Sequence, residues 1–132
     1  MLMKWVLLTY AAVALSATGC SRQDARLEQH RKTFESLGAT TAAIIDVWLA
    51  GEISGTYARA SLEKTFQLTE QERAVLTKTP EVLQDARGAA LSQQAERLSR
   101  VVAGLLLDVA AADGVSARRR VNDIPIRPTG SP

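Results

Sequence analysis

Apolar positions fall into two patterns along the chain, a short N-terminal run and a longer region with helical spacing. Residues 5–15 are apolar except for Thr9 and Tyr10. From residue 21 onward, apolar side chains recur at intervals of three and four residues, which places them on one face of an α-helix. No stretch sustains the alternation with period two that a half-buried strand requires. The pattern therefore predicts an all-α fold.

Two helices are predicted in the first half of the region after residue 21. The first spans about residues 22–50, ends at a capping Gly51, and carries a heptad-like seam of Leu27, His30, Phe34, Leu37, Thr41, Ile44 and Trp48. The second begins after Ser54 or Thr56 and carries a stripe of Ala58, Leu62, Phe66, Thr69, Arg73 and Leu76. Residues 69–72 read Thr-Glu-Gln-Glu, a capping box that favours a kink near Leu68.

A third helix is predicted from Pro80 to Ala112, with Thr79 as its N-cap and Gly114 as its C-cap. Its apolar face consists of Leu83, Leu91, Leu98, Val102, Leu105, Val109 and Ala112. Short connections around residues 51–56 and 79 would make neighbouring helices antiparallel. We therefore expect a small antiparallel bundle of three to four helices over residues 20–114. Residues 115–132 contain four arginines and three of the four prolines, so we expect a basic, disordered tail there.

The N-terminal run has the organisation of a secretory signal peptide. Lys4 supplies a positive charge, the apolar run follows, and residues 16–19 are small. A membrane-spanning helix needs about 20 apolar residues, and this run is much shorter than that. The sequence therefore predicts a cleaved signal peptide over residues 1–19.

The end of this segment, Ala17-Thr18-Gly19-Cys20, resembles the lipobox of bacterial lipoproteins, although that family usually has Leu where this chain has Ala17. The resemblance implies a diacylglyceryl group on the thiol of Cys20, cleavage between Gly19 and Cys20, and a permanent membrane anchor. In Gram-negative lipoproteins, Asp after the cysteine favours the inner membrane. This chain has Ser21, which implies an outer-membrane protein that faces the periplasm.

The residues for catalysis are few. The sequence holds one histidine and one cysteine, and the neighbours of His30 at helical spacing include no second metal ligand of the zinc-site type. No Gly-x-Ser-x-Gly turn is present, and the net charge of +2 is too small for a nucleic-acid binder. We expect a noncatalytic protein without a metal, a cofactor or a nucleic-acid partner.

Arg118, Arg119 and Arg120 form the densest cluster of charge in the chain. They could contact anionic headgroups or an acidic partner, or they could be a solvated run near a helix end. The leading hypothesis is a noncatalytic, lipid-anchored envelope protein whose helical domain docks on a protein or membrane partner. The alternatives are a periplasmic module that binds a small ligand and a lipoprotein of the immunity or exclusion type.

Cys20→Ser should abolish lipidation, because the lipoprotein pathway attaches the lipid to a thiol and serine has none. We expect unprocessed or mislocalised protein. Metabolic labelling with a fatty-acid probe, followed by intact mass measurement, checks the prediction. Normal labelling of the variant would refute the assignment of Cys20 as the lipidated residue.

Overall fold

The computed structural model describes the backbone of residues 2–126 and the side chains of residues 22–126. It contains five α-helices, which are α1 (Leu2–Leu49), α2 (Gly55–Thr77), α3 (Pro80–Gln84), α4 (Ala86–Ala110) and α5 (Gly114–Val121). No strand occurs in the described residues, so the predicted all-α class is confirmed. Of these, α1, α2 and α4 are long, whereas α3 and α5 are short, and α5 lies in the region that was expected to be a tail.

The three long helices pack side by side. The His30 side chain of α1 contacts Glu72 of α2, whereas Trp48 lies near Gly55 at the start of α2, so α1 and α2 run in opposite directions. The first turn of α4 lies beside Asp24, and the turn that follows α4 brings Gly114 against Leu49. The direction of α4 is therefore that of α1 and opposite to that of α2.

The apolar seam predicted on α1 faces the core. Leu27, Phe34, Leu37 and Thr41 are buried, and the Thr41 hydroxyl donates to the Leu37 carbonyl oxygen at 2.8 Å. This bond explains how the seam tolerates a polar residue, because a buried hydroxyl needs a partner.

The backbone of α1 runs without interruption through residue 20. No nonhelical linker therefore separates the predicted anchor from the packed helices.

Helix α2 is continuous, so the predicted kink near Leu68 does not break it. Thr65 and Thr69 are buried and donate their hydroxyls to the carbonyls four residues earlier, at 2.9 and 2.8 Å. Thr69 is therefore not available to cap a new helix. The two glutamates of the apparent capping box, Glu70 and Glu72, instead bind side chains of other helices.

A single helix from Pro80 to Ala112 is also wrong, because the chain bends at Asp85. The backbone of Asp85 is extended (φ −77°, ψ 134°), and its carboxylate accepts from the Arg87 amide at 2.9 Å as the N-cap of α4. The bend folds α3 tightly onto α4. A Cβ atom at position 88 would lie 1.8 Å from the Val82 carbonyl oxygen, so Gly88 is required for this approach. Five residues of the predicted apolar face are buried on α4, whereas Leu83 lies on α3 and Ala112 is exposed beyond the end of α4; the five are Leu91, Leu98, Val102, Leu105 and Val109.

The expected disordered tail over 115–132 is corrected by the structure up to residue 126. Residues 114–121 form α5, and Ala117, Ile124 and Ile126 are buried. A Cβ atom at position 38 would lie 2.8 Å from the Ile126 carbonyl oxygen, so Gly38 lets this segment pack directly against α1. Residues 127–132 lie outside the described residues.

Helices α1 and α4 end in the same Schellman motif. At the end of α1, the Gly51 amide donates to Trp48 and the next amide to Val47, and Gly51 has a φ of +75°. The equivalent residue after α4 is Ala112, with a φ of +53° and the same two hydrogen bonds. Gly51 was correctly predicted as a cap. Gly114 is not the predicted C-cap. It is the first residue of α5, whose N-cap is the carboxylate of Asp113.

Ala112→Gly should raise the free energy of unfolding by about 0.5–1 kcal/mol, because glycine adopts the left-handed conformation without the steric cost of a Cβ atom. Gly51→Ala is the reciprocal control. It should lower the free energy of unfolding by about 1 kcal/mol, since a Cβ atom there meets nothing within 4 Å and only the backbone conformation changes. Urea denaturation followed by circular dichroism measures both. Shifts of the same sign would contradict the assignment of equivalent motifs.

Candidate functional site

A groove of about 670 Å³ lies between α1 and α2, in the half of the molecule away from Cys20. Ala43 of α1 and Ala60 of α2 are too small to fill the space between the helices. Larger apolar side chains line the same groove, namely Ile44, Val47, Ile53, Tyr57 and Leu68. Of these, Tyr57 is 63% exposed. The groove is open to solvent along its length and offers an apolar surface to another molecule.

The solvent-facing side of α1 next to this groove carries almost no charge. Between residues 36 and 50, Asp46 is the only charged residue, and exposed positions are occupied by Ser36, Ala39, Thr40 and Ala43. Exposed helix faces of globular proteins usually carry charged side chains. The lack of charge therefore extends the surface available for contact beyond the groove itself.

Charged and polar side chains join α2 to both of its neighbours. His30 Nδ1 of α1 lies 2.6 Å from a carboxylate oxygen of Glu72. On another side of α2, the Ser99 hydroxyl of α4 donates to Glu70, which also pairs with Arg73 at 2.6 Å. The hydrogen bond from Ser99, aided by Arg73, lowers the pKa of the Glu70 carboxyl. These pairs fix the register of the three helices.

His30 is therefore engaged in an interhelical contact. Within residues 22–126, no group of three or more His, Cys, Asp or Glu side chains is arranged to hold a metal ion. Gly19 and Cys20 lie in α1, and their side chains are outside the described residues. The structure thus gives no side-chain geometry for the predicted lipidation site.

The three arginines predicted to contact anions, Arg118, Arg119 and Arg120, have different environments in the structure. Arg120 Nε donates to Asp108 at 2.8 Å, and the side chain of Asp108 is only 9% exposed. This hydrogen bond raises the pKa of the Arg120 guanidinium above its ordinary value. Arg120 also lies across Gly104, where a Cβ atom would be 2.5 Å from its guanidinium. Arg120 is therefore a structural residue, whereas Arg118 and Arg119 are exposed.

The groove and the Asp108–Arg120 pair were both missed by sequence reasoning. The pair joins residues on two different helices, so no helical spacing indicates it. Alanines such as Ala43 and Ala60 could have suggested a gap between helices, but the sequence alone does not show which alanines face each other.

None of the helices in the part of the chain that the structure describes is both long and apolar enough to cross a membrane. Comparisons of the chain with protein-family models, with curated proteins and with solved structures find no match.

Arg120→Ala should lower the free energy of unfolding by about 1–3 kcal/mol, because it leaves the carboxylate of Asp108 buried without its partner. The double variant Arg118→Ala/Arg119→Ala removes more charge but only from exposed positions, and it should change the free energy by less than about 0.5 kcal/mol. Denaturant titration compares the two. Equal effects would show that Arg120 has no special structural role.

Proposed function

We propose that the protein is a noncatalytic, lipid-anchored component of the bacterial envelope that binds a helical segment of a protein partner in the groove between α1 and α2. The observation that carries the proposal is this open apolar groove on the half of the molecule away from Cys20. The low charge of the adjoining stretch of α1, where Asp46 is the only charged residue between positions 36 and 50, supports it, because a partner helix can approach there with little desolvation of charged groups.

The shape of the groove suits a helix better than a small molecule. On α2 its lining runs from Tyr57 to Leu68, and these residues span about 17 Å, or three helical turns. An amphipathic helix binds such a groove through apolar side chains at positions i, i+3, i+4 and i+7. Lys64 lines the groove and could pair with an acidic residue on the polar side of the partner.

A small-ligand binding module is the second candidate, because the volume of about 670 Å³ falls within the range of ligand pockets. Such pockets, however, bury most of the surface of their ligand. This groove is open along one side, which favours a larger partner that brings its own surface. No feature of the described residues distinguishes an immunity or exclusion role from other kinds of docking.

The anchor in this proposal rests on the lipobox-like residues 17–20 and on the order of charge, apolar run and small residues before them. The unbroken backbone of α1 supports a short connection between the anchor and the groove. Outer-membrane localisation follows from Ser21 by resemblance to Gram-negative lipoproteins. The predicted membrane attachment is through an acylated Cys20.

Site-specific photo-crosslinking in living bacteria tests the groove. A photoreactive amino acid at Ala43 should form a discrete crosslinked product with a protein, and the same amino acid at the exposed Gln93 of α4 should not. Ala60→Glu should abolish the product from position 43, because it places a charge within the apolar lining. Ala60 is exposed, so the substitution leaves the core intact.

Ala74→Glu is the matched control, since it introduces the same charge at another exposed alanine of α2 outside the lining. It should leave the crosslink unchanged. Equal crosslinking from positions 43 and 93, or loss of the product in both glutamate variants, would refute the groove as the docking site.

A further inference from the structure

The end of the protein next to Cys20 carries three basic side chains that pair with no acidic side chain of residues 22–126. Arg22 and Arg26 of α1 and Lys78 after α2 are exposed. Among the described residues, none of the three lies within ion-pair distance of a carboxylate. Their positive charge is therefore available to another molecule.

Several acidic side chains at the same end are already bound by two other arginines and do not pair with Arg22, Arg26 or Lys78. Arg87 pairs with Asp24 at 2.6 Å and with Asp85 at 2.9 Å, and Arg31 pairs with Glu28 at 2.7 Å. Glu81 is the remaining exposed carboxylate there. Its backbone carbonyl accepts from the Gln23 side chain at 2.9 Å, which holds α3 against α1.

The two free arginines share a depression with polar groups of the neighbouring turn. This depression, of about 240 Å³, lies between α1 and α3 and is lined by Arg22, Gln23, Arg26, Thr79, Glu81 and Val82. Guanidinium groups are well suited to binding phosphate oxygens, because they offer several N–H donors in a planar fork. The depression can thus receive a phosphate group that comes from the membrane side.

We propose that this end of the protein binds anionic phospholipid headgroups and thereby holds α1 upright on the membrane. The proposal rests on the proposed lipid anchor at Cys20, which brings Arg22 and Arg26 to the bilayer surface. Along the helix, Arg22 is about 3 Å and Arg26 about 9 Å beyond Cys20, so both lie within about one Debye length of the surface at physiological salt.

The cluster that is densest in the sequence cannot make this contact in an upright molecule. The segment with Arg118 and Arg119 lies between Gly114, which packs on Leu49, and Ile126, which packs on Gly38. Gly38 itself is about 27 Å beyond Cys20 along α1, well outside the range of unscreened attraction. In an upright molecule the headgroup contact is therefore made by the first turns after the anchor and not by Arg118 and Arg119.

The test uses the full-length, lipidated protein purified from bacterial membranes and reconstituted in vesicles. Cys20 is the only cysteine of the sequence, so a new cysteine at Gln84 or Glu52 is the sole reactive thiol once Cys20 carries its lipid. A fluorophore at either position reports its distance from nitroxide quenchers on lipid headgroups. Vesicles contain phosphatidylcholine alone or phosphatidylcholine with phosphatidylglycerol.

We expect phosphatidylglycerol to increase the quenching of the label at position 84 but not at position 52, and high salt to reverse the increase. Arg22→Gln/Arg26→Gln should lower the ratio of headgroup-contacting to free molecules by on the order of tenfold. Arg118→Gln/Arg119→Gln removes the same charge and should leave the ratio unchanged. Glu81→Gln should raise the ratio, since it removes the one opposing carboxylate from the depression.

Quenching that is independent of phosphatidylglycerol, or equally reduced by both double variants, would overturn the proposal. Strong quenching at position 52 would also overturn it, because the molecule would then lie flat. Inorganic phosphate that weakens the contact more than chloride of equal ionic strength would assign the depression to free phosphate instead. Intact mass tests the anchor separately, since an unlipidated chain that still needs Arg22 and Arg26 for vesicle binding would refute only the lipid at Cys20.

Discussion

The ion pair between Asp108 and Arg120 holds the C-terminal segment on a core that three helices do not close alone. From Ser21 onward the chain has 17 alanines and only 29 larger apolar residues, so the long helices enclose little apolar volume. The C-terminal segment adds Ala117, Ile124 and Ile126 to that core. At eight residues, α5 is too short to be stable as an isolated helix. Its position therefore depends on the ion pair of Arg120 with the buried Asp108, and on glycines in α1 and α4 that let the segment approach their backbones.

Polar pairs between helices compensate for the limited number of large core side chains. Small apolar side chains interdigitate weakly and specify helix register poorly, whereas a hydrogen bond between two given side chains is formed in one register. The contacts of His30 with Glu72 and of Ser99 with Glu70 are therefore placed where they fix α2 against both neighbours. Buried threonines on α1 and α2 donate their hydroxyls to carbonyl oxygens of their own helix. They therefore need no hydrogen-bond partner on the neighbouring helix.

Helical periodicity was sufficient to predict the faces that form the core but not the points where helices break. Phe34, Leu62 and Leu98 are fully buried because a repeat of three and four residues determines which side of a helix is apolar. Asp85 does not differ in local sequence from an exposed acid on a helix surface. Asp85 becomes the N-cap of α4 because Gly88 lets α3 fold back onto α4. This packing is a tertiary contact, which the local sequence does not show. Arginines and prolines after residue 114 suggested disorder, but Ile124 and Ile126 are buried by contacts with residues more than 80 positions away.

Of the candidate functional features, one can be predicted from neighbouring residues in the sequence, whereas the others depend on contacts between residues that are distant in the sequence. A lipobox is contiguous, so residues 17–20 carry the anchor prediction without any structure. The groove and the basic end depend on contacts between distant residues, as in the pairing of Arg87 with Asp24, and among the described residues no carboxylate pairs with Arg22 or Arg26. The separation of the two surfaces then follows from the length of α1. Thr40, at the start of the groove, is about 30 Å beyond Cys20 when measured along the helix. A contact that keeps α1 upright would present the groove to partners at that height above the membrane, whereas a helix lying flat would bring the groove down to the headgroups. If Cys20 carries the proposed anchor, the orientation of α1 sets the distance of the groove from the membrane, and the charges of the first turns then bear on a function located at the other end of the helix.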